Sequence, residues 1–344
     1  MGMKDAANPI PGLRAGEIVE VRSEAEILAT LAPDGTLDGL PFMPEMLAHC
    51  GKRFRVFRRA DKTCDTIKNY QSRRMRDAVH LEGLRCGGEF HDGCQYGCLL
   101  FWKEVWLRRV DHVSAGGDLQ RKDERAVRRP AITREGLVLT TKRKAPAPEE
   151  DDLHVCQATE LRRFTTPIRW WDPRQYVREL RSGNVGPAPF MRAVSVAAYN
   201  IAARRLRRFG AKLHPHVAGS LKRTPNAALN LVPGERVRVK SQSEILATLD
   251  SECRNRGMRF DVEMVPFCGR EFRVLRRADK IIHDRTGTML SLRDGIILEG
   301  AYCGGHLSRD RLFCPRSLFP FWREIWLERV DEPASNDDST RNRP

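Results

Sequence analysis

The chain lacks the short motifs that carry most common enzyme chemistry. It has no G-x-S-x-G nucleophile elbow, no Walker A phosphate loop, no G-x-G-x-x-G fingerprint and no H-E-x-x-H helix. Glu82 and Glu299 recur inside Leu-Glu-Gly, but one carboxylate per copy does not make an acid–base pair. Nothing in the sequence argues for an enzyme. Long apolar runs are also missing, since no stretch approaches the ~18 residues of a membrane span. The segment Met1-Gly2-Met3-Lys4-Asp5-Ala6-Ala7-Asn8 carries no apolar secretory core. The expectation is a cytoplasmic protein, in which ten cysteines read as thiols or metal ligands rather than disulfides. Aromatic residues are scarce, at 7% of the 344 residues, which leaves few rings for stacking on a ligand.

Charge, by contrast, is abundant and one-sided. Sixty Lys and Arg against 45 Asp and Glu give a net charge of +15. Such a surplus points to an unknown protein partner or a polyanion, nucleic acid included, or else to a solvated Arg-rich surface.

The strongest pattern is internal repetition. Gly16-Glu17-Ile18-Val19-Glu20-Val21-Arg22-Ser23 returns as Gly234-Glu235-Arg236-Val237-Arg238-Val239-Lys240-Ser241. The offset of 218 persists from Cys50-Gly51 to Cys268-Gly269 and from Arg58-Arg59-Ala60-Asp61-Lys62 to Arg276-Arg277-Ala278-Asp279-Lys280. After small length changes, Phe101-Trp102-Lys103-Glu104-Val105-Trp106-Leu107 matches Phe321-Trp322-Arg323-Glu324-Ile325-Trp326-Leu327. Two modules, 16–111 and 234–331, are therefore expected, after a tail at 1–15. A flexible linker over 112–150 and a partly helical connecting region over 151–232 separate them, and a disordered tail follows at 332–344.

Each module reads as mainly β with short helices. Val19 and Val21 alternate with polar residues, as do Val237 and Val239, which is a strand signature. Ser23-x-x-Glu26 and Ser241-x-x-Glu244 are capping boxes that open short helices. A further short helix should end at Cys50-Gly51 and Cys268-Gly269. The fold class expected is α+β, two small SH3-like barrels in tandem. In the connecting region, Asp172-Pro173 opens a helix that Gly183 closes. A second helix over 190–209 carries Arg204, Arg205, Arg207 and Arg208 at its end. Packing of that helix on protein is preferred to peripheral membrane contact.

Two constellations could carry chemistry. Cys64, Cys86, Cys94 and Cys98 include a Cys-x-x-x-Cys pair and suit a closed zinc shell, with His91 as a reserve ligand. An iron–sulfur cluster would use the same ligands. A second metal site in the other module could use His283, Cys303, His306 and Cys314. The second constellation is the pair of Trp-x-Glu-x-Trp strands. An unbroken strand from Trp102 to Val110 would put Trp102, Glu104 and Trp106 on one face. Trp322, Glu324 and Trp326 would match them. That face reads either as a ligand-binding groove or as core, with core preferred because both strand faces are apolar.

The strings His80-Leu81-Glu82-Gly83-Leu84-Arg85-Cys86, His91-Asp92-Gly93-Cys94, Phe101-Trp102-Lys103-Glu104 and Trp170-Trp171-Asp172-Pro173-Arg174-Gln175-Tyr176 resemble those of an uncharacterised bacterial family with no established activity. Its setting among biosynthetic genes implies an accessory role in such a pathway. The reading that results is a metal-stabilised tandem-repeat binding or scaffold protein. A nucleic-acid-binding protein and a redox or iron–sulfur accessory protein are the alternatives.

Overall fold

A computed structural model of the chain describes residues 12–68, 70–110, 130–145 and 151–330. It is a mixed α+β structure, mostly strands with few short helices, in small curled sheets. Two compact units divide it. The first runs to His214 and also takes in Lys280–Ser291 and Gly304–Leu318, whereas the second holds Pro215–Asp279, Leu292–Cys303 and the chain from Phe319 onward.

In the first unit, the repeat builds a five-stranded antiparallel sheet from β1 (Ile18–Val21), β2 (Arg53–Arg59), β3 (Ala78–Arg85), β4 (Leu99–Lys103) and β5 (Leu107–Arg109). Their spatial order is β4-β3-β2-β1-β5. Alternation sends Val19 and Val21 into the core. Between β1 and β2, Ser23 caps α1 (Glu24–Leu28) with both bonds of the capping box present. A 3-10 turn over Pro44–His49 then runs to Gly51, whose φ of +73° suits glycine.

Among the described residues, four α-helices belong to this unit. After α1 comes α2 (Arg134–Leu139), capped by Thr133, and it buries Leu137 while Ile132 packs in just before it. This helix lies within the stretch 112–150 expected as a flexible linker. Two apolar anchors in a charge-rich stretch suffice to dock it. Residues 111–129 and 146–150 lie outside the described residues, as do most of the expected tails. Asp172 caps α3 (Pro173–Arg181), which ends before Gly183 at φ +75°. Asn184 then docks on β2, accepting from the Arg59 amide at 2.8 Å and donating to the Arg59 carbonyl at 2.9 Å. The side-chain amide thus substitutes for a neighbouring strand. Helix α4 (Pro187–Arg205) follows, and Phe190 stacks on Phe313 with ring centroids 5.0 Å apart.

The second unit repeats the sheet with β6 (Arg236–Val239), β7 (Glu271–Arg277), β8 (Gly295–Leu298), β9 (Trp322–Arg323) and β10 (Leu327–Arg329). The order β9-β8-β7-β6-β10 is that of the first sheet, strand for strand. Registers also agree: Val19 pairs with Phe54 and Val237 with Phe272. Even the bulge recurs, between Val56 and Arg58 and between Val274 and Arg276. Helix α5 (Gln242–Leu246) carries the second capping box.

The Trp-x-Glu-x-Trp segments depart from the expected continuous strand. A 3-10 turn at Glu104–Trp106, and at Glu324–Trp326, separates the last two strands of each sheet. Val105 in the turn is exposed, while Trp106 stays buried with Trp102. All four tryptophans are fully buried, so none offers a ring to a ligand. Phe42 meets Trp106 edge-on at 5.0 Å, and Phe260 meets Trp326 at 5.5 Å. Trp106 Nε1 donates to Thr30 and Trp326 Nε1 to Thr248.

The glutamate in each turn anchors it. Glu104 accepts from Arg59 at 2.5 Å and Glu324 from Arg277 at 2.5 Å. Glu324 is fully enclosed and also accepts from the consecutive amides of Leu229, Asn230 and Leu231. Burial alone would raise its pKa, yet Arg277 and these amides hold it below the usual carboxylate range.

Replacing Glu324 by Ala should cost about 2–3 kcal/mol, because it removes the acceptor of a half-buried guanidinium and of three amides, that of buried Leu231 among them. Urea unfolding followed by tryptophan fluorescence would measure it. A loss below about 1 kcal/mol, the worth of a surface pair, would contradict this role. A second expectation concerns acid. Burial, opposed by the Leu100 carbonyl, holds fully buried His80 down at about 3, against 6.5 for a free imidazole. The unfolded chain therefore binds the extra proton first as pH falls, so stability is full above 6.5 and is lost progressively toward 3. Melting curves of the protein and of His80→Asn should diverge in slope across that window, and parallel curves would contradict the assignment.

Candidate functional site

The first unit holds a cysteine-lined cavity of about 30 Å³, enough for a water or an ion. Its wall is built by the loop that leaves β3. The Cys86 amide donates to the Cys98 carbonyl at 2.8 Å, closing the loop's base. Inside it, the Cys94 amide donates to the His91 carbonyl and the Gly93 amide to the Gly88 carbonyl. Gly88 sits at φ +81°, and a Cβ there would stand 2.2 Å from the Cys94 carbonyl oxygen. Only glycine permits this close return, which brings Cys86, His91 and Cys94 to one wall.

A short hairpin, Lys280–Ile282 with Met289–Ser291, covers the loop from the other side. The Gln95 amide donates to the Lys280 carbonyl, and the Ile282 amide donates to Cys94 Sγ at 3.4 Å. Cys156, reached after the segment at 151–155, Glu45, from the turn at Pro44–His49, and Asp284, just past the hairpin strand Lys280–Ile282, also line the cavity.

Within this cavity, one ligand atom each from Glu45, Cys86 and His91 lies within 4.8 Å of the others. Cys86 Sγ stands 3.7 Å from His91 Nδ1. Both carboxylate oxygens of Glu45 are buried without a hydrogen bond of good geometry, and the Cys86 thiol is the side chain facing them. Glu45, Cys86, His91, Cys98 and Cys156 are each pushed toward the neutral form. Burial raises Cys86 and Cys98 far above the ordinary thiol range, with the Glu45 charge adding to the shift of Cys86. Burial pushes Cys156 up to about 12 and raises Glu45. It also holds His91 down at about 4, against the pull of the Val155 carbonyl. The set is a soft and hard donor mixture to which a bound cation would supply the missing charge.

The structure thus brings Cys86, Cys94, Cys98 and His91 to one cavity. Cys64 does not line it. Cys64 ends the strand Lys62–Cys64, and its thiol meets that of Cys314, which with nearby Arg316 and Arg311 holds it at about 6 despite burial. Arg316 donates to the Cys64 carbonyl and to Thr66. Of the second set, His283 Nδ1 is within 2.8 Å of Thr286 Oγ1 and the His306 ring lies 6.2 Å from that of Phe313. Cys303 belongs to the other unit. Among the described residues, these four form no group of three with ligand atoms close together.

Two contributors escaped the sequence reading. Glu45 recurs as Glu263 at the module offset, a signal that could have marked it. Cys156 has no repeated partner and no ligand spacing, so only the fold reveals it. Comparison of the chain with known protein families, with curated proteins and with solved structures finds no match.

Thiols this strongly disfavoured as thiolates should react slowly. In native protein at pH 7.5, iodoacetamide should leave Cys86 and Cys98 unmodified over a time that fully alkylates denatured chain. Peptide mass spectrometry reads the outcome, and prompt alkylation of either residue would contradict the closed cavity.

Proposed function

We propose that the first unit holds a structural zinc ion in this cavity and that the chain is a binding or scaffold protein. The observation that carries the reading is the Glu45–Cys86–His91 set, in which the Cys86 thiol is the side chain facing two buried carboxylate oxygens. Buried polar groups without partners cost stability, and a cation is the partner this donor set fits. A tetrahedral zinc shell has ligand-to-ligand edges of about 3.3–3.8 Å, and the Cys86–His91 spacing of 3.7 Å already matches that edge. Cys94 and Cys98 stand ready in the same wall for the remaining position. An iron–sulfur cluster fits less well, since its usual ligands are thiolates alone.

In this reading each repeat is a small barrel of the SH3-like kind. The shared strand order and the small curled sheets support it. The surplus of basic side chains supports a polyanionic partner over a neutral one.

Elemental analysis of purified protein tests the metal. Stoichiometric zinc is expected in the parent and in Cys64→Ser, and its loss is expected in Cys86→Ser and His91→Ala. Since ligands converge only in the folded state, EDTA should lower the melting temperature of the parent. Protein that purifies metal-free, takes up no added zinc and melts unchanged with EDTA would overturn the proposal.

A further inference from the structure

On the first unit, and separate from the cysteine cavity, a groove of about 710 Å³ opens where the chain enters α3. Its size falls in the range of small-ligand sites. Its charge is lopsided. Four arginines line it, Arg74, Arg169, Arg174 and Arg178, against a single carboxylate, Asp172. That carboxylate is already engaged: both of its oxygens accept from Arg174, and one also caps the helix at the Arg174 amide. The lining therefore keeps no acid for Arg74, Arg169 or Arg178. The first turn of the nine-residue α3 adds the positive end of its dipole.

Two further features point to more than a simple anion. Trp171 lines the groove with 58% of its surface exposed, although this protein hides its other indoles or packs them. The Arg169 guanidinium lies over its ring at 5.3 Å. Gln175, only 6% exposed, also lines the groove. Its Nε2 donates to the carbonyls of Arg169 and Trp170, which fixes the orientation of the amide. That leaves Oε1 buried with no donor. An unsatisfied acceptor of this kind is costly and calls for a role.

We propose that this groove binds a nucleotide, with its phosphates held by Arg74 and Arg178, its base on Trp171, and a hydroxyl or amino group donated toward Gln175. Guanidinium forks suit phosphate oxygens in paired hydrogen bonds. An exposed indole supplies the face on which a base stacks. Neither an inorganic anion nor a neutral ring would use both halves of the groove.

Calorimetric titration of the full chain with ADP at low salt tests the assignment, with inorganic pyrophosphate and an oligo(dT) strand as comparison probes. The variants are Trp171→Ala and the double variant Arg74→Ala/Arg178→Ala. All three positions are exposed, and unchanged melting curves would certify the folds. Saturable binding of ADP is expected, weakened about tenfold or more in the double arginine variant, the scale of one lost charge-assisted bond. Trp171→Ala should weaken ADP and leave pyrophosphate unaffected. The proposal is overturned by absence of saturable ADP binding at millimolar concentration, or by ADP affinity unchanged in both variants. It is equally overturned if pyrophosphate binds as tightly as ADP, or if oligo(dT) binds and ADP does not.

Discussion

Each repeat depends on one ion pair at the turn between its last two strands. Arg59 reaches Glu104, and Arg277 reaches Glu324, from the strand that carries the bulge. The pair holds a 3-10 turn at a point where sequence alternation alone would continue a strand. With the turn in place, two tryptophans four residues apart both face inward and fill the centre of the sheet. Without it, the strand's period of two would put the intervening glutamate on the same inward face as both tryptophans. The bulge places the arginine, the arginine holds the turn, and the turn fills the core. The two copies differ in how the glutamate is enclosed. Glu324 is additionally cradled by three backbone amides, whereas Glu104 keeps a partly exposed carboxylate and meets Arg59 as that side chain also pairs with Asp61.

The duplicated sheet does not lead to duplicated sites. Stretches that follow the second and third strands of the second repeat, Lys280–Ser291 and Gly304–Leu318, belong to the first unit. There they take specific roles. Ile282 reaches the sulfur of Cys94, Lys62 donates to the Leu312 carbonyl, and Arg316 lies buried against Cys64 and over the Phe101 ring. The first unit thus recruits chain that the repeat pattern would have assigned elsewhere. This explains why Cys64 and Cys94 are buried and why Cys64 faces Cys314 instead of Cys86.

Much of this was legible in the residues. The recurring Ser-x-x-Glu boxes, the alternating valines and the Cys-Gly helix ends all act through neighbours a few residues away, and all appear where expected. The helix at Asp172-Pro173 is legible for the same reason, since capping is a local hydrogen bond. The candidate site was only partly legible. Cys86, His91, Cys94 and Cys98 are close in sequence and share one glycine-turned loop. Glu45 and Cys156 arrive from distant segments, and no spacing rule could rank them above Cys64.

What the sequence determined by itself is therefore the repeat, its alternating core valines and its caps, because these rest on short-range geometry and on identity between two copies. The tertiary structure alone decided that a 3-10 turn interrupts each Trp-x-Glu-x-Trp segment, which cysteines share a cavity, and which segments of the second repeat join the first unit. Those outcomes depend on long-range packing and on buried polar groups finding partners, and both are properties of the assembled fold rather than of any stretch of chain.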